Sequence, residues 1–219
     1  MKQSLFRKKL KARVLYYLLP LTSCLFFSCL SDSDENSNQG LSKAEINQCV
    51  TNTRGEYSGY LVYPARNPTV STDQADTLTI NWTITSDTTL VVSHFPGKTI
   101  AENITRNNEL KAAMIEQNPT QQLLCDMAFY AADPTIMFVL GPHKMEFPVY
   151  YKDATHTVKA YFWSNTVSEI LSNGAVDPSN KEMVARIVLG AVYLDDDENT
   201  NLLGTSSTIM IPIYLTTSF

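Results

Sequence analysis

A chain of 219 residues that is 44% hydrophobic, 18% charged and 10% aromatic has the apolar material for one ordinary core, which excludes wholesale disorder. Its 8 glycines and 10 prolines exclude collagen-like and low-complexity architectures. A formal charge of −5 is the wrong sign for the basic footprint of a nucleic-acid binder, so no nucleic-acid partner is expected.

The chain opens with Lys2, Arg7, Lys8, Lys9, Lys11 and Arg13 and no acid, followed by an apolar stretch from Val14 to Phe27 interrupted by Pro20, Thr22 and Ser23. A basic head, a short apolar middle and a small residue before a cleavage point describe a secretory signal peptide. The stretch falls short of the roughly 20 apolar residues that span a bilayer. It ends on Leu25-Phe26-Phe27-Ser28-Cys29, and Leu21-Thr22-Ser23-Cys24 has the same form. A small residue before a cysteine at this place resembles the lipobox of bacterial lipoproteins, which implies that the cysteine is lipidated and becomes the mature N-terminus. Leu21 to Cys24 fits the general lipobox slightly better. Cys29 is nevertheless the expected acceptor, with Cys24 the alternative, because the acidic run Ser31-Asp32-Ser33-Asp34-Glu35-Asn36 follows it at once. That run resembles the export tag of Bacteroidetes-type lipoproteins, and it also reads as a solvated tether.

The expected organisation is therefore a lipoprotein signal peptide at 1–28, an acidic flexible tether at 29–41, and a single mainly-β domain at 42–219. Loss of residues 1–28 removes six cations and no acid, which leaves a net charge of −11. The expected location is the outer membrane, on its periplasmic or its surface-exposed face, with the lipid anchor as the membrane contact.

Ser42-Lys43-Ala44-Glu45 matches a capping box, and the spacing of Ile46, Cys49 and Val50 predicts a short helix over 43–50. Strand-forming residues at 56–63 end on Pro64. Residues 77–85 alternate, with Leu78, Ile80, Trp82 and Ile84 on one face. A turn at Ser86-Asp87-Thr88 returns the chain through a strand at 89–95. Leu110, Met114 and Ile115 predict a helix over 107–116, ended by Asn118-Pro119. Strands are then expected at 122–130, 136–140, 144–151, 155–163, 184–194 and 208–216, with Pro212 marking an edge or a bulge. The fold class read from this pattern is mainly β: an antiparallel β-sandwich or partly open barrel of about eight strands with one or two short helices.

Cys49 and Cys125 are the cysteines left to the body, an even pair in a compartment that can oxidise them. A bridge between them would close about 77 residues. The competing reading is two separate buried thiols. Asp195-Asp196-Asp197-Glu198-Asn199 concentrates acid; Asp195, Asp197 and Asn199 place oxygen ligands at alternate positions, as the opening of a calcium loop does. The glycine and closing glutamate of that loop pattern are missing, so an acidic surface loop is the competing reading and no other cofactor is expected. Tyr150, Tyr151, Tyr161 and Trp163 cluster in sequence; facing outward they would stack on sugar rings or bind protein, and facing inward they would fill the core.

Gly55-Glu56-Tyr57-Ser58-Gly59-Tyr60-Leu61, the alternating strand centred on Trp82, Asp87-Thr88-Thr89-Leu90 and Phe95-Pro96 together resemble a group of Bacteroides-type lipoproteins of unassigned function, related in style to calycin-like domains that open with a G-x-Y-x-G-x-L strand. The resemblance implies an all-β outer-membrane lipoprotein and transfers no catalytic residue. No G-x-S-x-G elbow, H-E-x-x-H or Walker loop is present. The expected function is a non-enzymatic binding or accessory module that meets glycan or another envelope protein. A structural or assembly lipoprotein and a hydrolase with a dispersed site are the alternatives.

Overall fold

The computed structural model describes residues 40–65, 75–163, 165, 169–206 and 208–218. The expected leader, both lipidation candidates Cys24 and Cys29, and most of the expected tether lie outside the described residues.

The first described element is helix α1 (Lys43–Thr53), opened by Ser42. Its hydroxyl accepts from the Glu45 N–H at 3.3 Å, and the Glu45 carboxylate accepts from the Ser42 N–H at 2.7 Å, so both arms of the capping box form. Ten strands follow: β1 (Gly55–Pro64), β2 (Ala75–Ile84), β3 (Thr89–Pro96), β4 (Thr120–Ala131), β5 (Ile136–Pro142), β6 (Met145–Tyr151), β7 (Ala154–Phe162), β8 (Asn173–Asp177), β9 (Glu182–Leu194) and β10 (Ile211–Thr216). Helices α2 (Lys98–Ala101) and α3 (Asn108–Gln117) sit between β3 and β4.

All pairings among these strands are antiparallel. The order runs β10-β1-β2-β3-β4-β5-β8-β9, and β9 pairs back onto β10, so eight strands close on themselves. The fold is a closed barrel, which corrects the expectation of a sandwich or partly open barrel. The reason lies in β10, which pairs along both edges, and in β9, which pairs with three strands. β10 bonds β1 through Tyr214, Leu215 and Thr216 and bonds β9 along its whole length. β9 is long enough to take β8 at Glu182–Arg186 and β7 at Leu189–Leu194. The β6–β7 hairpin is thus a two-strand flap added to the barrel wall. Pro212 pairs with Val188 on β9 but lies beyond the part of β10 that reaches β1, so its missing N–H is not needed.

The inward faces fill the barrel. Trp82, Tyr63, Phe95, Phe138, Leu61, Ile84 and Leu90 are among the largest side chains that are fully buried, and Phe147 of the flap joins the same core. The helical insert, which sequence alone places outside a simple barrel, closes the end at which β1 and β3 finish. Ile100, Ile104, Leu110 and Met114 join the same core, and the Asn103 amide donates to the Pro64 carbonyl at 3.1 Å. The β9–β10 loop completes the plug: Thr105 N–H donates to the Leu202 carbonyl at 2.9 Å, and its hydroxyl donates to the Leu203 carbonyl at 2.7 Å. The Asn107 side chain caps α3 by accepting from Leu110 N–H at 3.0 Å, and Asn118 ends it in the left-handed region at φ 40°.

Candidate functional site

Among the described residues the inward side chains fill the barrel with apolar groups, and the exposed polar groups lie in its wall and on its surface. Among the described strands, the shortest seam of the wall lies between β2 and β3. Strands β2 and β3 are joined by a tight turn but share only two rungs, Thr83 with Val91 and Ile84 with Leu90. β1 and β2, by contrast, pair over ten residues. β3 leaves β2 because it bulges between Val92 and Phe95, where its register against β4 shifts and Ser93 and His94 turn outward together.

The result is a cleft of about 730 Å³ at the parting of β2 and β3, lined by residues of β1, β2 and β3. Its rim is polar and exposed, made by Glu56, Ser58, Thr79, Asn81, Ser93 and His94. Its floor is aromatic. Tyr57 and Trp82 are cross-strand partners, with ring centroids 5.8 Å apart and planes within 3° of parallel. Trp82 is fixed from behind, where its Nε1–H donates to Met183 Sδ at 3.2 Å. The Tyr57 hydroxyl donates to the Thr53 carbonyl, which ties the floor to α1, and burial pushes its pKa up. A rigid apolar floor under a ring of hydrogen-bonding groups is the general make-up of a ligand site. The sequence cue for it was the polar face of β2, Thr77-x-Thr79-x-Asn81-x-Thr83, together with two consecutive polar residues, Ser93-His94, that break the alternation of β3.

The aromatic candidates are divided by strand alternation. Tyr150 points outward and is 58% exposed, whereas its neighbour Tyr151 turns into the core. Tyr161 stands edge-on to Tyr193, with centroids 5.6 Å apart, on the outer side of β7 and β9. Its hydroxyl donates to Glu198 at 3.0 Å, and that bond, first among the causes, raises its pKa. Trp163 lies flat over Gly190, where an added Cβ would come within 2.7 Å of its Nε1, and donates to the Ile209 carbonyl at 2.7 Å. The four residues therefore do not form one platform.

The acidic loop is tied down by β7. Asp195 accepts from His156 Nδ1–H at 2.7 Å and from Thr157 N–H at 2.8 Å, and these two bonds hold its carboxyl below the usual range. Asp196 accepts from Lys159 at 2.9 Å. Asp197 accepts from the Asn199 N–H at 3.1 Å. The carboxylates at the proposed ligand positions Asp195 and Asp197 are thus turned to different protein donors, and among the described residues no group of three or more His, Cys, Asp or Glu side chains is arranged to hold a metal ion. Cys49 and Cys125 are both buried free thiols. Cys125 faces the barrel core from β4, and its burial, with Asp126 beside it, raises its pKa far above an ordinary thiol's.

Residues 52–194 match a family described as a domain of unknown function, DUF4840, which takes in β1 to β9 and the cleft. No curated protein and no solved structure matches the chain.

Proposed function

We propose that this chain, which belongs to the DUF4840 family of domains of unknown function, is a lipid-anchored, non-enzymatic binding module of a bacterial cell envelope that holds a glycan or protein ligand in the β2–β3 cleft. The observation that carries the reading is the cleft itself, the combination of a fixed Tyr57–Trp82 floor with a polar rim where the barrel wall parts. Its ionisable rim residues, Glu56 and His94, are both exposed, a setting suited to recognition rather than to the desolvated groups of acid–base chemistry. The basic and apolar leader ending at Cys29 supports the anchor, and the net negative charge of the body would hold it off an anionic lipid surface.

Two measurements test the reading. Mass spectrometry of the protein from native membranes should find an acylated cysteine at residue 29, or at 24, as the N-terminus; an intact, unmodified leader would overturn the anchor. The detergent-solubilised full chain, screened on immobilised glycans and on purified envelope proteins, should bind at least one class and lose that binding in Asn81→Trp, whose ring occupies the cleft. Binding that is indifferent to Asn81→Trp, or no binding at all, would overturn the cleft as the site.

A further inference from the structure

We infer that the β2–β3 cleft is a slot for one extended peptide strand of a partner protein, which completes the interrupted sheet; this rests on the binding role above and specifies its ligand class. The hydrogen bonds at the turn set the phase of each edge. Thr85 N–H donates to the Thr89 carbonyl at 2.9 Å. Because N–H and C=O groups alternate sides along a strand, Thr83, Asn81 and Thr79 turn theirs toward β3. On the other edge, Met127 N–H donates to the Thr88 carbonyl at 2.9 Å. Leu90 and Val92 accordingly serve β4, Val91 faces β2, and the bulge residues Ser93 and His94 have no ladder partner on β2 or β4.

The rung after Thr83–Val91 would join Asn81 to Ser93, and it is missing. Two strand edges thus confront each other across the cleft with their ladder unfinished. Backbone groups are strong and obligatory hydrogen bonders. A second extended chain is the ligand that offers N–H and C=O groups at the strand repeat along both of its own edges. A sugar would satisfy the rim side chains but not two backbone edges at once.

Size agrees with this occupant. An extended residue fills roughly 3.3 Å along the strand, 4.8 Å between strands and 10 Å across the sheet, about 160 Å³. A cleft of about 730 Å³ therefore takes about four to five residues, the length of β2 that lines it, Thr79 to Thr83. The side chains add a preference. Glu56, beside Thr83 on the outer face, is the one carboxylate among the lining residues, whereas Ser58, Thr79, Asn81 and Ser93 are neutral. The floor is Ile80, Trp82 and Tyr57. The segment that fits alternates apolar residues inward with hydroxyl residues outward, and carries a lysine or arginine at the end near Glu56.

The test uses the full chain in detergent and a set of fluorescent heptapeptides of alternating valine and threonine, with one threonine replaced by lysine at each outward position in turn. A matched set is N-methylated on alternate amides, once in each phase. Fluorescence anisotropy should show saturable binding, weakened by about tenfold or more when either edge of the peptide is methylated, since each loses backbone bonds to one wall. Asn81→Pro, which removes one N–H facing the cleft and none facing β1, should weaken binding by a similar factor, and Asn81→Trp should abolish it. Equal binding of the methylated peptides would overturn the inference, as would no binding by the whole set at millimolar concentration. If a glycan occupies the cleft and is displaced by Asn81→Trp while the peptides do not bind, the binding role stands and this inference alone fails.

Discussion

Closure of the barrel leaves no room for a side chain at Gly59, and Gly59→Ala tests it directly. Gly59 faces inward on β1, and the last residues of β10 pass across it. A Cβ added there would sit 2.2 Å from the Thr216 carbonyl oxygen and 2.9 Å from both the Thr216 carbonyl carbon and the Thr217 Cα. All three atoms are backbone, so no side chain can swing aside. Relief requires β10 to retreat by about 1 Å, toward ordinary contact distances. Overpacking of this kind costs about 1–3 kcal/mol. The retreat also loosens the short seam that joins β1 to β10 at Tyr60–Thr216, Leu61–Leu215 and Val62–Tyr214, at about 1 kcal/mol for each net hydrogen bond lost. A total near 4 kcal/mol would lower Tm by roughly 8–16 °C in a domain of this size. Thermal and urea unfolding followed by circular dichroism measure it, with Gly40→Ala as the control because nothing lies within 4 Å of a Cβ there. If Gly59→Ala stays within about 0.5 kcal/mol of the parent, as an ordinary surface change would, the β1–β10 seam and with it the closed barrel are refuted.

Leu110→Ala should cost about 2–5 kcal/mol by leaving a cavity in the α3 plug, because Leu110 is fully buried in the common core; a change below 1 kcal/mol would mean that α3 is not part of that core. Asp195 carries a pH dependence of known sign. Its carboxyl is held below the ordinary value by His156 and by the Thr157 N–H, so the stabilisation is full above the unfolded pKa, near 4, and disappears as pH falls through the lower folded pKa. With its side chain 46% exposed, the effect stays below about 1 kcal/mol. Asp195→Asn should therefore lower Tm by a few degrees or less at pH 6, with a deficit that shrinks as pH falls below about 4; a deficit undiminished in acid would place the role of Asp195 elsewhere. Cys49 and Cys125, both buried and free, should be alkylated by iodoacetamide only after denaturation, with peptide mapping as the readout. Rapid native labelling of either one, or resistance to alkylation after denaturation without reductant, would contradict the structure.

The cleft shows how far each level of reading reaches. The alternation of Leu78, Ile80, Trp82 and Ile84 marked β2, and the hydroxyl and amide residues on its other face were equally legible, because a period of two is a local property. That β3 would abandon β2 after two rungs was not legible. It depends on the register of β3 against β4, whose residues lie about 30 positions further along the chain. The aromatic candidates failed as a group for the opposite reason. Tyr150 and Tyr151 are adjacent in sequence and so necessarily fall on opposite faces of β6, while Trp163 found its place over Gly190, a contact that only the β7–β9 pairing creates.

By itself, the sequence determined the short-range features: the capping box at Ser42 and Glu45, the α3 helix, nine of the ten strands and the antiparallel texture. These follow from propensity, periodicity and caps, which act within a few residues. Strand β8 escaped notice because Asn173-Gly174-Ala175-Val176-Asp177 is short and carries a glycine, and it is a strand only because β5 and β9 bond it from both sides. The tertiary structure alone decided that the sheet closes, that the helices plug one end, and that the wall parts between β2 and β3. Each of those outcomes is set by pairing between residues far apart in the chain, where backbone hydrogen bonds and burial of the inner face choose a register that no local pattern encodes.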